Sequence, residues 1–156
     1  KMKTGNRFGV VDVLFFGGSL IPKHYVSKEG VRLSFYTKIN TAENKAAVLN
    51  LKNELLDRFG KTPLETNNFI NLALIRLLYR NTVVRVIKIN KNSMVFELPE
   101  SELQKNTIKK VLSFKSEFVV KRSFKKRPSS LLVVFDVLEG FNWFAFAVHC
   151  NSLFSV

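Results

Sequence analysis

Residues 40–98 read NTAENKAAVLNLKNELLDRFGKTPLETNNFINLALIRLLYRNTVVRVIKINKNSMVFEL, and a change of period inside this stretch decides the fold class. Asn40 followed by Glu43 has the spacing of a capping box, which satisfies the free amides at a helix start. Val48, Leu51, Leu55 and Phe59 then recur at three- and four-residue intervals and predict one apolar stripe on a helix. Gly60 stands where a helix end needs a positive φ. Thr62, Pro63 and Glu65 occupy the N-cap, N1 and N3 positions of a second helix. That helix carries Leu64, Phe69, Ile70, Leu72, Leu74, Ile75, Leu77 and Leu78, apolar nearly all round, as a central buried helix is. After Arg80 the period changes. Val83 to Ile89 and Ser93 to Leu98 are β-branched or alternating runs, and Asn90-Lys91-Asn92 between them predicts a hairpin.

Working outward, Phe8 to Phe16 is rich in Val and Phe, as a strand buried on most of both faces would be. Pro22 breaks that pattern, and about Lys28 to Ile39 reads as a short helix. On the other side, Pro99 to about Phe114 reads as a helix with Leu103, Ile108, Val111 and Leu112 as its inner face. Glu117 to Phe124 and Leu131 to Val137 read as two strands joined by a basic turn containing Pro128, and Phe141 to Phe154 as a closing helix. Separate runs of helices and strands predict an α+β fold. In it an N-terminal strand and helices precede a small mixed or antiparallel sheet with further helices.

The chain has 156 residues, 46% of them hydrophobic and fifteen of them Phe. That length predicts one domain, residues 1–156, able to bury roughly 68–70% of its unfolded surface. Disordered and fibrous classes are excluded by the composition. Twenty-five Lys and Arg against twelve Asp and Glu leave a formal charge of +13, which favours acidic partners such as nucleic acid or an acidic protein face. The excess is spread over both halves, so no separate basic tail carries it. The apolar start is too short to span a bilayer and lacks a small-residue cleavage site. One cysteine, Cys150, makes no internal disulfide, which suits a reducing cytoplasm. A chain opening on Lys1 rather than Met is expected to be a fragment of something larger.

Catalytic signatures are missing. No G-x-x-x-x-G-K-[ST] loop, G-x-G-x-x-G turn or G-x-S-x-G elbow occurs, and the spacing of Gly17-Gly18-Ser19 is wrong for a phosphate cradle. His24, His149 and Cys150 are the only imidazole or thiol groups, too few for a zinc site. Adjacent His149 and Cys150 also point apart on a helix or a strand. The fragment is therefore read as non-enzymatic, without cofactor or metal.

Two charged clusters remain. Glu54 and Asp57, three residues apart, share a helix face, and Glu43, Asn50, Glu54 and Asp57 line up opposite the stripe of Leu51, Leu55 and Phe59. The residues leave two readings open: a solvated surface, with Glu54 pairing with Arg58 one turn on, or a docking site for basic side chains of a partner. The solvated surface is the default, because exposed charges contribute little. The second cluster is Lys105, Lys109, Lys110, Lys115, Lys121, Arg122, Lys125, Lys126 and Arg127, faced only by Glu117 among acids. It supports an alternative function, a basic nucleic-acid-binding module spanning Lys105 to Arg127. Lys121, Arg122, Lys125, Lys126 and Arg127 are its candidate contacts, and Phe114, Phe118 and Phe124 its candidate stacking partners.

Ile21-Pro22 with Tyr25, Arg32-Leu33-Ser34-Phe35-Tyr36 with Lys38-Ile39, and Glu54-Leu55-Leu56-Asp57-Arg58-Phe59-Gly60 with Pro63 together resemble the C-terminal domain of bacterial transcription-repair coupling factors. The likeness runs from about Ile21 to Arg80 and is loose beyond. It implies a parent that is an ATP-driven DNA translocase. Such a parent displaces stalled RNA polymerase and recruits nucleotide excision repair in the bacterial cytoplasm, with ATP binding and hydrolysis located upstream of this domain. For the domain itself it implies a non-catalytic, autoinhibitory role. The domain packs against an N-terminal excinuclease-B-like module, masks the surface that recruits excinuclease A, and restrains the motor until polymerase is engaged. The resemblance also implies that Glu54 and Asp57 form salt bridges to arginines of that module, which lifts docking above a solvated surface for these two residues. RNA polymerase, excinuclease A and DNA become indirect partners, and no membrane is involved. The charge of +13 is the departure, since the basic cluster has no part in that scheme.

Overall fold

The computed structural model describes residues 10–101 and 104–155. Its elements are β1 (Asp12–Phe15), α1 (Glu29–Asn40), α2 (Lys45–Phe59), α3 (Leu64–Tyr79), β2 (Val86–Ile89), β3 (Ser93–Pro99), α4 (Gln104–Ser113), β4 (Val119–Arg127), β5 (Ser130–Val137) and α5 (Trp143–Cys150). A 3-10 turn, Asn151–Phe154, follows α5. This is the expected α+β order. The elements sort into two units: a helical unit, Gly17–Leu77, and a sheet unit formed by the residues before Gly17 and those from Leu78 onward.

The helical unit is built on the stripe read from the sequence. Val48 and Leu55 are fully buried with Ile21, Val26, Phe35, Ile39, Phe69, Ile70 and Ala73, and Leu51 and Phe59 pack against them. The cap of α2 is Asn44 rather than Asn40, its side chain accepting from the Ala47 amide at 2.8 Å. The reason is that α1 extends through Asn40, whose side-chain oxygen accepts instead from Arg76. Glu43 thus precedes α2 and is not part of its face. Gly60 closes α2 with φ +86°, and its amide donates to the Leu56 carbonyl. No atom crowds a Cβ there, so the requirement for glycine is conformational. α3 starts one residue later than expected, and the Thr62 hydroxyl pairs with the Asn67 side chain at 2.6 Å. Asn44→Ala is expected to cost about 1 kcal/mol in thermal or urea unfolding, and Asn40→Ala less. The reverse order would move the cap back to Asn40.

The sheet unit has strand order β1-β2-β3-β5-β4, with β1 parallel to β2 and every other neighbouring pair antiparallel. The Asn90–Asn92 hairpin is present, the Asn90 amide donating to the Ser93 carbonyl at 2.8 Å. One face of the sheet is dry. Ile87, Ile89, Met94, Phe96, Leu98, Leu131, Val133, Phe135 and Val137 are buried on it. Phe146 of α5 meets Phe135 at 5.5 Å between ring centres, and Phe154 meets Phe96 at 4.6 Å. The Tyr79 hydroxyl ties into this core by donating to the Ala147 carbonyl. The other face, carrying Leu14, Lys88, Val95, Glu97, Val134 and Asp136, is half-buried to exposed apart from Leu132, which is buried between Glu97 and Lys125 in the register.

Three expectations are corrected here. β1 is not buried on both faces: Leu14 lies beside Lys88 on the open face of the sheet and, like Phe16 just beyond the strand, is 55% exposed. Phe8, and likewise Leu103 in the predicted α4, lie outside the described residues. α4 begins at Gln104 rather than Pro99, because Pro99 is still paired in β3. Leu112 faces outward, whereas Val111 is buried as expected and is joined on the buried side of α4 by Gln104 and Thr107. The Gln104 side chain can be buried because its amide donates to the Pro99 carbonyl at 2.9 Å. Among the described residues no helix is long and apolar enough to cross a membrane.

Candidate functional site

The last two turns of α2 hold the acidic pair. Leu55 lies at 0% exposure, so the residues flanking it are turned toward solvent: Glu54 is half-buried, and Leu56, Asp57 and Arg58 are exposed. Glu54 and Asp57 share the outer edge, as the helical period requires. Their states differ. Glu54 Oε2 receives Arg58 Nη1 at 2.8 Å, an i,i+4 pair with both side chains about half exposed. Arg58 is in turn laid over the rings of Phe59 and Phe35, at 5.0 and 5.6 Å from their centres. Asp57 has no hydrogen bond or ion pair among the described residues and offers a free carboxylate. An exposed pair of this kind is worth about 0.3–0.5 kcal/mol, so an incoming cation can displace Arg58 at little cost.

The end of α2 is held by residues whose roles periodicity does not disclose. The Tyr25 hydroxyl donates toward the Gly60 carbonyl at 2.7 Å, with the Leu55 carbonyl at 3.1 Å. Burial raises the pKa of Tyr25, which keeps it a neutral donor. The Ile21 amide donates to the Tyr36 hydroxyl at 2.7 Å, and Arg32 Nη1 spans the Val26 and Ser27 carbonyls at 2.8 and 2.9 Å. The Tyr25 bonds hold the loop before α1 against the end of α2 that carries Glu54 and Asp57, and the Tyr36 and Arg32 bonds hold the same loop to α1. A shallow cleft of about 220 Å³ lies beside them, lined by Val26, Ser27, Lys28, Val31, Arg58 and Phe59.

The basic cluster is divided by the sheet. Arg122 leaves the candidate surface: its guanidinium is turned inward and donates to the Phe114 carbonyl, and its Nε is buried. Lys126, on the same side of β4 further along, borders a cleft of about 280 Å³ with Glu100, Ser101, Gln104, Lys105 and Ile108. By strand alternation Lys121, Lys125 and Arg127 emerge on the opposite, uncovered face, and all three are exposed. The aromatic residues do not accompany them. Phe114 and Phe118 pack against Phe146, and Phe124 alternates to the covered side with Arg122.

Among the described residues no three or more His, Cys, Asp or Glu side chains come together as a metal site. Cys150 is fully buried, and burial pushes its thiol well above the ordinary cysteine range, away from the reactive thiolate. The His149 ring packs against Phe114 at 4.6 Å.

Comparison with known proteins bears on the helical unit first. The TRCF domain family matches residues 18–110, more than half of the chain. The transcription-repair-coupling factor of Buchnera aphidicola is 32% identical over 103 residues, which is 62% of this chain and 13% of that protein. That of Haemophilus influenzae is 44% identical over 69 residues, 44% of this chain and 6% of that protein. The chain thus spans only a small part of the curated relatives it matches. Among solved structures, the crystal structure of the C-terminal domain of a transcription-repair coupling factor superposes with a TM-score of 0.74 at 20% identity. The superposition covers 93% of this chain and 92% of that one, so the fold is shared beyond the matched sequence.

Proposed function

The chain belongs to the TRCF domain family, and from that membership we propose that it is a non-catalytic docking domain that holds its parent, a transcription-repair coupling factor, in a restrained state. In this reading the outer edge of α2 grips basic side chains of the parent's N-terminal excinuclease-B-like module. The grip covers the surface that recruits excinuclease A and restrains the DNA translocase until RNA polymerase is engaged. The observation that carries it is the free carboxylate of Asp57 beside the loosely paired Glu54, on a helix end fixed by Tyr25 and Gly60. Rim ion pairs of about 0–1 kcal/mol each make a contact that is specific and releasable. Release is what a switch requires, since a competing partner shifts the equilibrium only by its differential affinity.

Glu54→Arg/Asp57→Arg is expected to weaken binding of the chain to the N-terminal module by roughly tenfold or more, as two attractive pairs become repulsive. Asp57→Arg alone should account for more of the loss than Glu54→Arg, because Glu54 must first part from Arg58. Titration calorimetry with the separate module checks both statements. A double variant that binds like wild type would remove Glu54 and Asp57 from the interface.

A further inference from the structure

We propose that the uncovered face of β4 is a duplex-DNA backbone contact formed by Lys121, Lys125 and Arg127. The three cations alternate along one side of an edge strand, and all are exposed. None takes part in an ion pair among the described residues, although Asp136 stands opposite Lys121 in the register. At about 3.4 Å per residue the row from Lys121 to Arg127 is ~20 Å long, a span over which one strand of B-DNA presents about six phosphates. Ser123, on the same side between Lys121 and Lys125, adds a hydroxyl donor.

Lysine on a sheet edge also serves to block edge-to-edge pairing. One or two charges are enough for that, whereas this strand carries its cations to the very end and adds Lys126 beside Lys105 on the other side. The acids that face the row are Asp136 and, two strands further in, Glu97, so the field at the β4 edge stays positive. The absence of a companion aromatic separates duplex from single-stranded nucleic acid. Base stacking requires exposed rings, and Phe114 and Phe118 are committed to the core. A backbone contact needs only charge and spacing. This surface belongs to the sheet unit and Glu54 and Asp57 to the helical unit, and it does not rest on the docking reading.

The test is fluorescence anisotropy of the 156-residue chain with a labelled random-sequence DNA duplex. Three to four phosphate contacts should make affinity fall ~40–150-fold between 50 and 200 mM salt. Lys121→Gln/Lys125→Gln/Arg127→Gln should lower affinity at least tenfold with unchanged thermal unfolding. A control, Lys23→Gln/Lys45→Gln/Lys61→Gln, removes the same charge from exposed positions of the helical unit and should leave binding within about threefold of wild type. Equal losses in the two variants would reduce the effect to net charge and overturn the site. Unchanged binding of the β4 variant would also overturn it, as would polyglutamate binding as tight as DNA, which would point to an acidic protein instead.

Discussion

Phe96→Ala is expected to destabilise the sheet unit by about 3–5 kcal/mol, the range for emptying an aromatic site in a packed core. Phe96 is fully buried in β3 and touches three other rings: stacked on Tyr79 at 5.8 Å, edge-on to Phe135 at 6.0 Å, and tilted against Phe154 at 4.6 Å. Little can collapse into the space it leaves. Tyr79 is held by its bond to the Ala147 carbonyl, and Phe135 by pairing of β5 on both sides. Aromatic pairs add ~0.5–1.5 kcal/mol beyond the area they bury, so the upper part of the range applies. Trp143, the only tryptophan, sits on α5 in the same unit and reports its unfolding by fluorescence in urea. Phe16→Ala, on the exposed edge, should change the midpoint little by comparison. Similar losses for the two would mean that the dry face of the sheet is misassigned.

The second large effect belongs to α2. Leu55→Ala should cost about 2–5 kcal/mol, whereas Leu56→Ala should stay within about 0.5 kcal/mol. The two residues are adjacent and chemically identical, and only the rotation of the helix separates them: Leu55 is fully buried and Leu56 is 38% exposed. Far-UV circular dichroism during urea unfolding follows both variants. The contrast also tests the docking edge, because the rotation that buries Leu55 is the one that turns Asp57 outward. If Leu56→Ala proved as costly as Leu55→Ala, the acidic edge would face elsewhere and the docking proposal would lose its geometry.

Much of this was legible in local patterns. The stripe of Val48, Leu51, Leu55 and Phe59, the positive φ at Gly60 and the hairpin at Asn90–Asn92 each depend on residues within a few positions of one another. The pairing of Glu54 with Arg58 was readable for the same reason. α3 is less enclosed than its sequence predicts, since Phe69, Ile70, Leu72 and Ile75 are buried but Leu64 and Leu78 are exposed. The cap of α2 was misplaced because Asn40 and Asn44 both satisfy the local rule. What chose between them was the length of α1, which Phe35 and Ile39 extend by packing in the core. The Tyr25, Arg32 and Tyr36 tethers carry no periodic signal at all. They entered only through the family resemblance; the backbone partners of Tyr25 and Tyr36 are remote in sequence, and Arg32 reaches back to the nearby Val26 and Ser27 carbonyls.

By itself the sequence determined the inner face of α2, the strand runs, the positive charge and the candidate carboxylates, since periodicity and capping are contacts between near neighbours in the chain. Tertiary structure alone decided that β1 is an exposed edge, for its register is set by parallel pairing of Asp12 with the remote Val86. It also decided which cations are available. Arg122 is spent on the Phe114 carbonyl while Lys121, Lys125 and Arg127 stand free on the opposite face of the sheet. A strand alternates whatever its sequence, but which of its two faces is covered depends on helices that arrive from elsewhere in the chain.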